Sequence, residues 1–259
     1  MRIVIKVGTS TIAHPSGLLN IRHVEKLVKV IADLKNAGHE VALVSSGAIG
    51  MGVGKLSLGK RPDDMPGIQA AAAVGQSELM YTYDKLFAAY NHTIAQILVT
   101  NEDIADIDRR TNFNNTMEKL FELGALPVVN ENDTIATSEI SVGDNDSLGA
   151  IVAGEVKADL LIILSDVDGL YTKDPRKDES AELIPLVKEI DDDIYALAGG
   201  KGSALATGGM WTKIDAAKAA TAKGCDMVIV NGDDPEILYD VIEGKEVGTR
   251  FVKQKTYTK

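Results

Sequence analysis

The sequence predicts an α/β protein built on a mainly parallel β-sheet, and three features carry that expectation. Several short apolar runs, at residues 3–7 (broken only by Lys6), 41–44 and 159–164, do not alternate with polar residues, as expected of strands covered on both faces. Segments with apolar residues at helical spacing separate the runs, which is the strand–helix–strand grammar of a parallel sheet with right-handed crossovers. The runs also break into small or polar turns, Gly8-Thr9-Ser10, Ser45-Ser46-Gly47 and Glu131-Asn132-Asp133. Those turns fall at the carboxyl ends of strands, where open α/β sheets place ligands.

Taken in order, residues 3–7 form the first strand. Ile21, Val24, Leu27, Val28, Ile31 and Leu34 then recur at helical spacing, and Gly38 is a stop signal. Residues 41–44 are the second strand. From Gly47 to Gly67 the chain reads as an irregular excursion, with Pro62 and Pro66 preventing a continuous helix. An Ala-rich helix follows from Ile68 to about Tyr90, then a strand over 94–99, a helix from Asn112 to Leu123 closed by Gly124, and a strand over 126–130. Another helix begins after Gly143-Asp144-Asn145-Asp146 and leads to the most apolar strand, 159–164. A helix from near Gly208 and Gly209 to Lys223, a strand over 227–230, a helix from about Pro235 to Ile242 and a short strand over 247–252 complete the pattern. No repeat, low-complexity tract or linker interrupts it. The expectation is one domain over residues 1–259, a sheet with helices on both faces.

A chain of 259 residues can bury a substantial core, and 45% hydrophobic with 25% charged residues is ordinary for a globular protein. The formal net charge of -11 argues against nucleic acid or an anionic membrane as partner. It leaves ATP open, because a few local lysines and helix ends reverse the field inside a cleft. Cys225 is the sole cysteine, so no intrachain disulfide forms, in keeping with a reducing compartment. No apolar run approaches the ~20 residues of a membrane span, and no signal-peptide pattern is present. The expected location is cytoplasmic.

Lys6 stands at the carboxyl end of the first strand beside Gly8, placed to touch a phosphoryl group; the alternative is a lysine snorkelling from an edge strand. Residues 54–60 match the opening of a P-loop, but Arg61 stands where Ser or Thr would bind magnesium, and the segment does not join a strand to a helix. Asn130-Glu131-Asn132-Asp133 and, ten residues on, Gly143-Asp144-Asn145-Asp146 read singly as a turn and a helix N-cap. Together they suit an amino-acid substrate, whose ammonium and carboxylate need converging carboxylates, amides and helix-start N–H groups. Ser165, Asp166 and Asp168 follow the most apolar strand, either as nucleoside contacts or as a surface hairpin. Thr207-Gly208-Gly209-Met210-Trp211-Thr212-Lys213 opens a helix whose N–H groups can face a phosphate, while Trp211 by itself reads as a packing residue. Lys6 and Lys213 can bracket a migrating phosphoryl group, which is most of what phosphoryl transfer requires. The four histidines sit in no motif, and no zinc spacing occurs.

These pieces resemble the amino-acid kinase family, and within it the branch that phosphorylates free glutamate at the head of proline synthesis. The matching stretches are Lys6 to Ser10, Val44 to Ile49, Ala72 to Gln76, Val129 to Asp133, Val142 to Asp146, Asp166 to Tyr171 with Asp174-Pro175-Arg176, Thr207 to Lys213, and Val247-Gly248-Thr249. They run from end to end of the chain. The resemblance implies a three-layer αβα sandwich around a mainly parallel sheet of about eight strands. It implies that Lys6 and Lys213 stabilise the transferring phosphoryl group and that Asp146 organises them. It gives Ser46, Asp133 and Asn145 to the glutamate site, and Lys6, Ser165, Asp166, Thr207, Gly208, Gly209, Met210, Trp211, Thr212 and Lys213 to ATP. Mg2+ would sit mainly on the nucleotide phosphates, with no protein ligand named. Proline as feedback inhibitor and a homo-oligomer, dimer or tetramer, are implied as well. Position 165 is Ser where the family usually has Thr, which keeps the hydroxyl. Many relatives append an RNA-binding-type PUA domain, for which these 259 residues are expected to leave no room. The alternative is a sister kinase of acetylglutamate, aspartate, carbamate or UMP. Those of acetylglutamate and aspartate tend to carry two glycines where this chain has only Gly8 after Lys6-Val7, and the Asn130–Asp133 and Gly143–Asp146 segments favour free glutamate. A non-catalytic sensor would not need both lysines and Asp146, and no strand is followed by the Gly-x-Gly-x-x-Gly of a dinucleotide-binding fold.

Overall fold

The computed structural model describes residues 1–14, 16, 18–136, 145–198 and 209–254, with Ser10 described by its backbone alone. The first half runs β1 (Arg2–Val7), α1 (Thr9–Ile12), α2 (Ile21–Asn36), β2 (Glu40–Ser45), α3 (Ala48–Lys55), α4 (Met65–Ala88), β3 (Ile94–Val99), α5 (Asn101–Ala105), α6 (Ile107–Glu122) and β4 (Leu126–Glu131). The second half runs α7 (Asn145–Glu155), β5 (Leu160–Ser165), β6 (Leu186–Val187), α8 (Asp192–Leu197), α9 (Met210–Ala222), β7 (Asp226–Asn231), α10 (Ile237–Ile242) and β8 (Thr249–Phe251). The eight strands form one sheet in the order β3-β4-β2-β1-β5-β7-β8-β6. The pairs β2–β4, β3–β4, β5–β7 and β6–β8 run parallel, and only β7–β8 is antiparallel among those whose register is defined. The expected α/β fold with a mainly parallel sheet is the observed one.

Local sequence explains most elements. Ile3, Val4, Ile5 and Val7 of β1 and Leu161, Ile162 and Ile163 of β5 are fully buried, which is why these runs need no polar alternation. Helix α2 starts at Asn20, whose side chain accepts from the His23 N–H, and buries Val24, Leu27, Val28, Val30, Ile31, Ala32 and Leu34. Each Val, Leu or Ile so buried contributes about 1.5–3 kcal/mol relative to exposure. Helix α4 is capped by Asp64, which accepts from the Gly67 N–H at 2.8 Å, and Pro66 lies in its first turn, where no N–H is missed.

Three expectations need correction. The stretch from Gly47 to Gly67 is not irregular throughout: α3 occupies Ala48–Lys55, and α4 already begins at Met65. The helix expected from Asn112 starts at Ile107, after the extra turn α5 built on a Thr100–Asp103 capping box. The strand β6, only two residues long, and the short helices α1 and α8 were not foreseen.

The chain packs as two compact units, one spanning Val7–Ser141 and the other Met1–Lys6 with Val142–Lys259. In the former, α3 and α4 cross so closely that a Cβ on Gly75 would lie 1.7 Å from the Ala48 carbonyl oxygen, and one on Gly52 would lie 1.8 Å from that of Ala71. In the latter, β5 and β7 pair from Leu160↔Asp226 to Ser165↔Asn231, so Ser165 and Asn231 end adjacent strands side by side. The sheet order reverses between β1 and β5, the topological switch point at which such folds bind ligands.

Candidate active site

The unit containing β1 gathers three charged side chains. Lys6 is the penultimate residue of β1, Asp146 lies in the first turn of α7, and Lys213 in the first turns of α9. Their relative exposures are 7%, 0% and 6%, which few charged residues reach unless paired. The Lys6 Nζ stands 2.6 Å from Asp146 Oδ1, and the Lys213 Nζ donates to Asp146 Oδ2 at 3.0 Å. Lys6 is therefore no snorkelling surface lysine, and Asp146 does more than start a helix. Helix α7 lies against the stem of Lys6, because a Cβ on Gly149 would stand 3.5 Å from the Lys6 Cβ. The N-terminal end of α7 favours the Asp146 carboxylate through its dipole. Two ammonium groups on one carboxylate leave these three side chains with one surplus positive charge. Out of water, such a surplus attracts an anion far more strongly than it would at the surface.

In the same unit, Ser165 ends β5 and its Oγ donates to Asp166 Oδ1 at 3.2 Å. Gly209 precedes α9, and the Thr212 hydroxyl donates back to its carbonyl at 2.9 Å. Met210 and Trp211 are half-buried. The Trp211 ring lies against Tyr195 of α8, centroids 4.6 Å apart at 44°, and the Tyr195 hydroxyl donates to Asp215 Oδ1 at 2.7 Å. Burial, and then the Asp215 carboxylate, push the Tyr195 hydroxyl well above the usual phenol range. The Trp211 ring thus has a packing partner on α8. Asn145 is buried as the first residue of α7. Thr207 and Gly208, like Gly143 and Asp144, lie outside the described residues.

The unit spanning Val7–Ser141 holds Ser46 and Asp133. Ser46 follows β2; its N–H donates to the Val7 carbonyl at 3.1 Å, and its own carbonyl accepts from the Ser45 hydroxyl at 3.1 Å. Ser45 in turn shares a buried hydrogen bond of 3.0 Å with the Tyr83 hydroxyl of α4. Asp133 sits just beyond β4, its carboxyl pushed up by burial and partly drawn back by the Arg61 guanidinium. Glu131 is pushed up to about 7, first by burial and then by the Asp133 charge. Beneath them, the Glu131 N–H donates to Asn130 Oδ1 at 2.9 Å, and Asn130 Nδ2 donates to Gln76 Oε1 at 2.9 Å. Sequence reasoning had placed Gln76 in a motif without giving it work. No local pattern marks it, since the same helix also carries Gln69, Ser77 and Glu78; only burial beside Asn130 sets Gln76 apart. Glu131 is named in the sequence as one of four polar residues at the end of β4 with no individual role, and its half-buried setting is what distinguishes it from a turn residue.

Among the described residues no helix is long and apolar enough to cross a membrane. Residues 1–231 match the model of the amino acid kinase family. The chain is 55% identical over 249 residues to a glutamate 5-kinase of Clostridium tetani, covering 96% of this chain and 93% of the relative. It is 50% identical over 255 residues to a glutamate 5-kinase of Caldanaerobacter subterraneus, covering 98% of this chain and 68% of that one. Among solved structures, the carbamate kinase of Giardia lamblia bound to AMP-PNP superposes with a TM-score of 0.71 at 20% identity, covering 98% of both chains. The UMP kinase of Bacillus anthracis gives a TM-score of 0.67 at 16% identity, covering 98% of this chain and 96% of that one, so both share the fold. On sequence and fold together, this chain belongs to the amino acid kinase family, among relatives that are glutamate 5-kinases.

Proposed function

We propose that the chain transfers the γ-phosphoryl group of ATP to the γ-carboxylate of L-glutamate, giving γ-glutamyl phosphate and ADP, the first step of proline biosynthesis. The observation that carries this reading is the buried Lys6–Asp146–Lys213 cluster with its surplus positive charge. A carboxylate oxygen supplies the electron pair for the new O–P bond as the bond from the γ-phosphorus to the β,γ-bridging oxygen breaks, and that pair leaves with ADP. No proton moves, so no general base is needed. What remains is to hold the reactants in line and to neutralise the equatorial oxygens in transit. The two ammonium groups do the second, and Asp146 fixes their spacing.

The substrate-binding assignments are Ser46, Asp133 and Asn145 for glutamate, with Asp133 toward its ammonium. Ser165, Asp166 and residues 207–213 hold ATP. No protein ligand is named for Mg2+. That ion is assigned to the nucleotide phosphates, where it adds charge neutralisation. The reading also includes a single kinase domain over residues 1–259, a cytoplasmic setting, a homo-oligomer and proline as feedback inhibitor, the last tested by titrating proline into the assay.

The test is to mix protein, Mg-ATP and hydroxylamine with L-glutamate, N-acetylglutamate or aspartate and to measure the hydroxamate trapped from the acyl phosphate. Hydroxamate is expected with glutamate. Folded protein that yields none with glutamate, or yields it with acetylglutamate or aspartate instead, overturns the proposal.

A further inference from the structure

Val247-Gly248-Thr249 is a motif to which the reaction assigns no work. The structure places it under the segment that leaves β5. The Thr249 side chain is fully buried, and its hydroxyl is used twice: it accepts from the Leu170 N–H at 2.7 Å and donates to the Ile184 carbonyl at 2.7 Å. Leu170 and Ile184 are themselves joined, the Ile184 N–H donating to the Leu170 carbonyl at 2.8 Å, and Tyr171 bridges Leu183. One hydroxyl thus ties both strands of that small ladder to β8. The fit is close, since a Cβ on Gly169 would lie 2.5 Å from the Thr249 hydroxyl oxygen, and one on Gly248 would lie 2.1 Å from the Ile229 carbonyl oxygen. The same segment is held from the side. Asp168 accepts from the Tyr171 hydroxyl at 2.8 Å and from Asn231 Nδ2 at 2.9 Å, while Asn231 Oδ1 accepts from the Asp233 N–H at 2.9 Å. Both carboxylate oxygens of Asp168 are engaged by protein donors, which casts this residue as a brace, whereas Ser165 and Asp166 stand three and two residues before it at the strand end.

We infer that Thr249 and Asn231 are positioning residues for the nucleotide: they fix residues 166–171 from two directions so that Ser165 and Asp166 meet ATP already in place. This rests on the assignment of Ser165 and Asp166 to the nucleotide. The expected behaviour is selective. Thr249→Val keeps the shape but leaves a buried N–H and carbonyl without their partner, and should raise the KM for Mg-ATP about tenfold, as loss of one well-made buried hydrogen bond does. The KM for glutamate should stay within about twofold, and Thr249→Ser, which restores the hydroxyl, should return the ATP KM toward that of the parent. Asn231→Ala, at a half-exposed position, should raise the ATP KM in the same direction and serves if Thr249→Val does not fold. Ser165→Ala and Asp166→Ala separate the two layers of the reading. If they leave the ATP KM unchanged, the nucleotide assignment fails and this inference with it. If they raise it while folded Thr249→Val or Asn231→Ala does not, or if Thr249→Val lowers only the active fraction with both KM values intact, the positioning role alone is overturned.

Discussion

Asp146 answers two ammonium groups with one carboxylate, and the imbalance separates function from stability at this site. Removing either lysine leaves a neutral buried pair, so Lys6→Ala and Lys213→Ala should each lower kcat by at least ~10², as loss of a transition-state donor does, while unfolding free energy changes little. Removing the carboxylate leaves two cations facing each other, so Asp146→Ala should cost about 3–5 kcal/mol in denaturant unfolding. A stable Asp146→Ala variant would show that the lysines do not depend on it. Glu131 gives a pH signature of definite sign. Its folded-state pKa, about 7, is above the ordinary 4.5, so the fold favours the protonated form. The stabilisation attached to that proton is complete below about 4.5 and is lost as pH rises through about 7. Glu131→Gln should therefore raise Tm relative to the parent more at pH 8 than at pH 5; an equal shift at both would place Glu131 in solvent-like surroundings.

Elements carry a constraint of their own where α3 and α4 cross. Gly75→Ala would drive a methyl into the Ala48 carbonyl, a clash between two backbones that no side-chain rotation relieves. Overpacking of this kind should cost about 1–3 kcal/mol or more. Because Ala48 follows Ser46 and Gly47, the variant should also raise the KM for glutamate, measured alongside chemical denaturation; a normal KM would separate the crossing from substrate binding. This crossing also shows why α3 was not legible in the sequence. Gly50, Gly52 and Gly54 look like helix breakers, yet the crossing needs Gly52 of α3 and Gly75 of α4 to be without side chains, so close packing overrides propensity. Strands β1, β2, β3, β4, β5 and β7 were legible because their runs are mostly apolar and short, bounded by turn residues. The strand β6 has two residues and depends on its pairing with β8, which no local pattern reports. Likewise, Lys6, Asp146 and Lys213 were visible as motif residues, whereas the work of Thr249 and Gln76 appears only through partners far along the chain.

At the scale of the whole molecule, a formal net charge of -11 sets a background that the exposed ion pairs do not cancel. Self-repulsion opposes compaction, and it weakens as the Debye length shortens from about 30 Å at 0.01 M salt to about 8 Å at 0.15 M. Raising NaCl across that range should raise Tm in a thermal scan; a fall would mean that attractive surface pairs outweigh the repulsion. Composition thus made the charge legible, but the way distant segments combine was not. The unit that carries the lysine cluster is discontinuous, taking Met1–Lys6 from the start of the chain and the rest from Val142 onward. On the ribosome, the segment Val7–Ser141 is made before β5, the β1 neighbour within the lysine-bearing unit. Until then the β5-facing edge of β1 stays open and Lys6 has no Asp146 to accompany it out of water. Synthesis order therefore completes the phosphoryl-handling charge only when Lys213 is made, after Lys6 and Asp146, and a nascent chain cut short before α9 holds at most a neutral lysine–aspartate pair with no surplus charge to offer ATP.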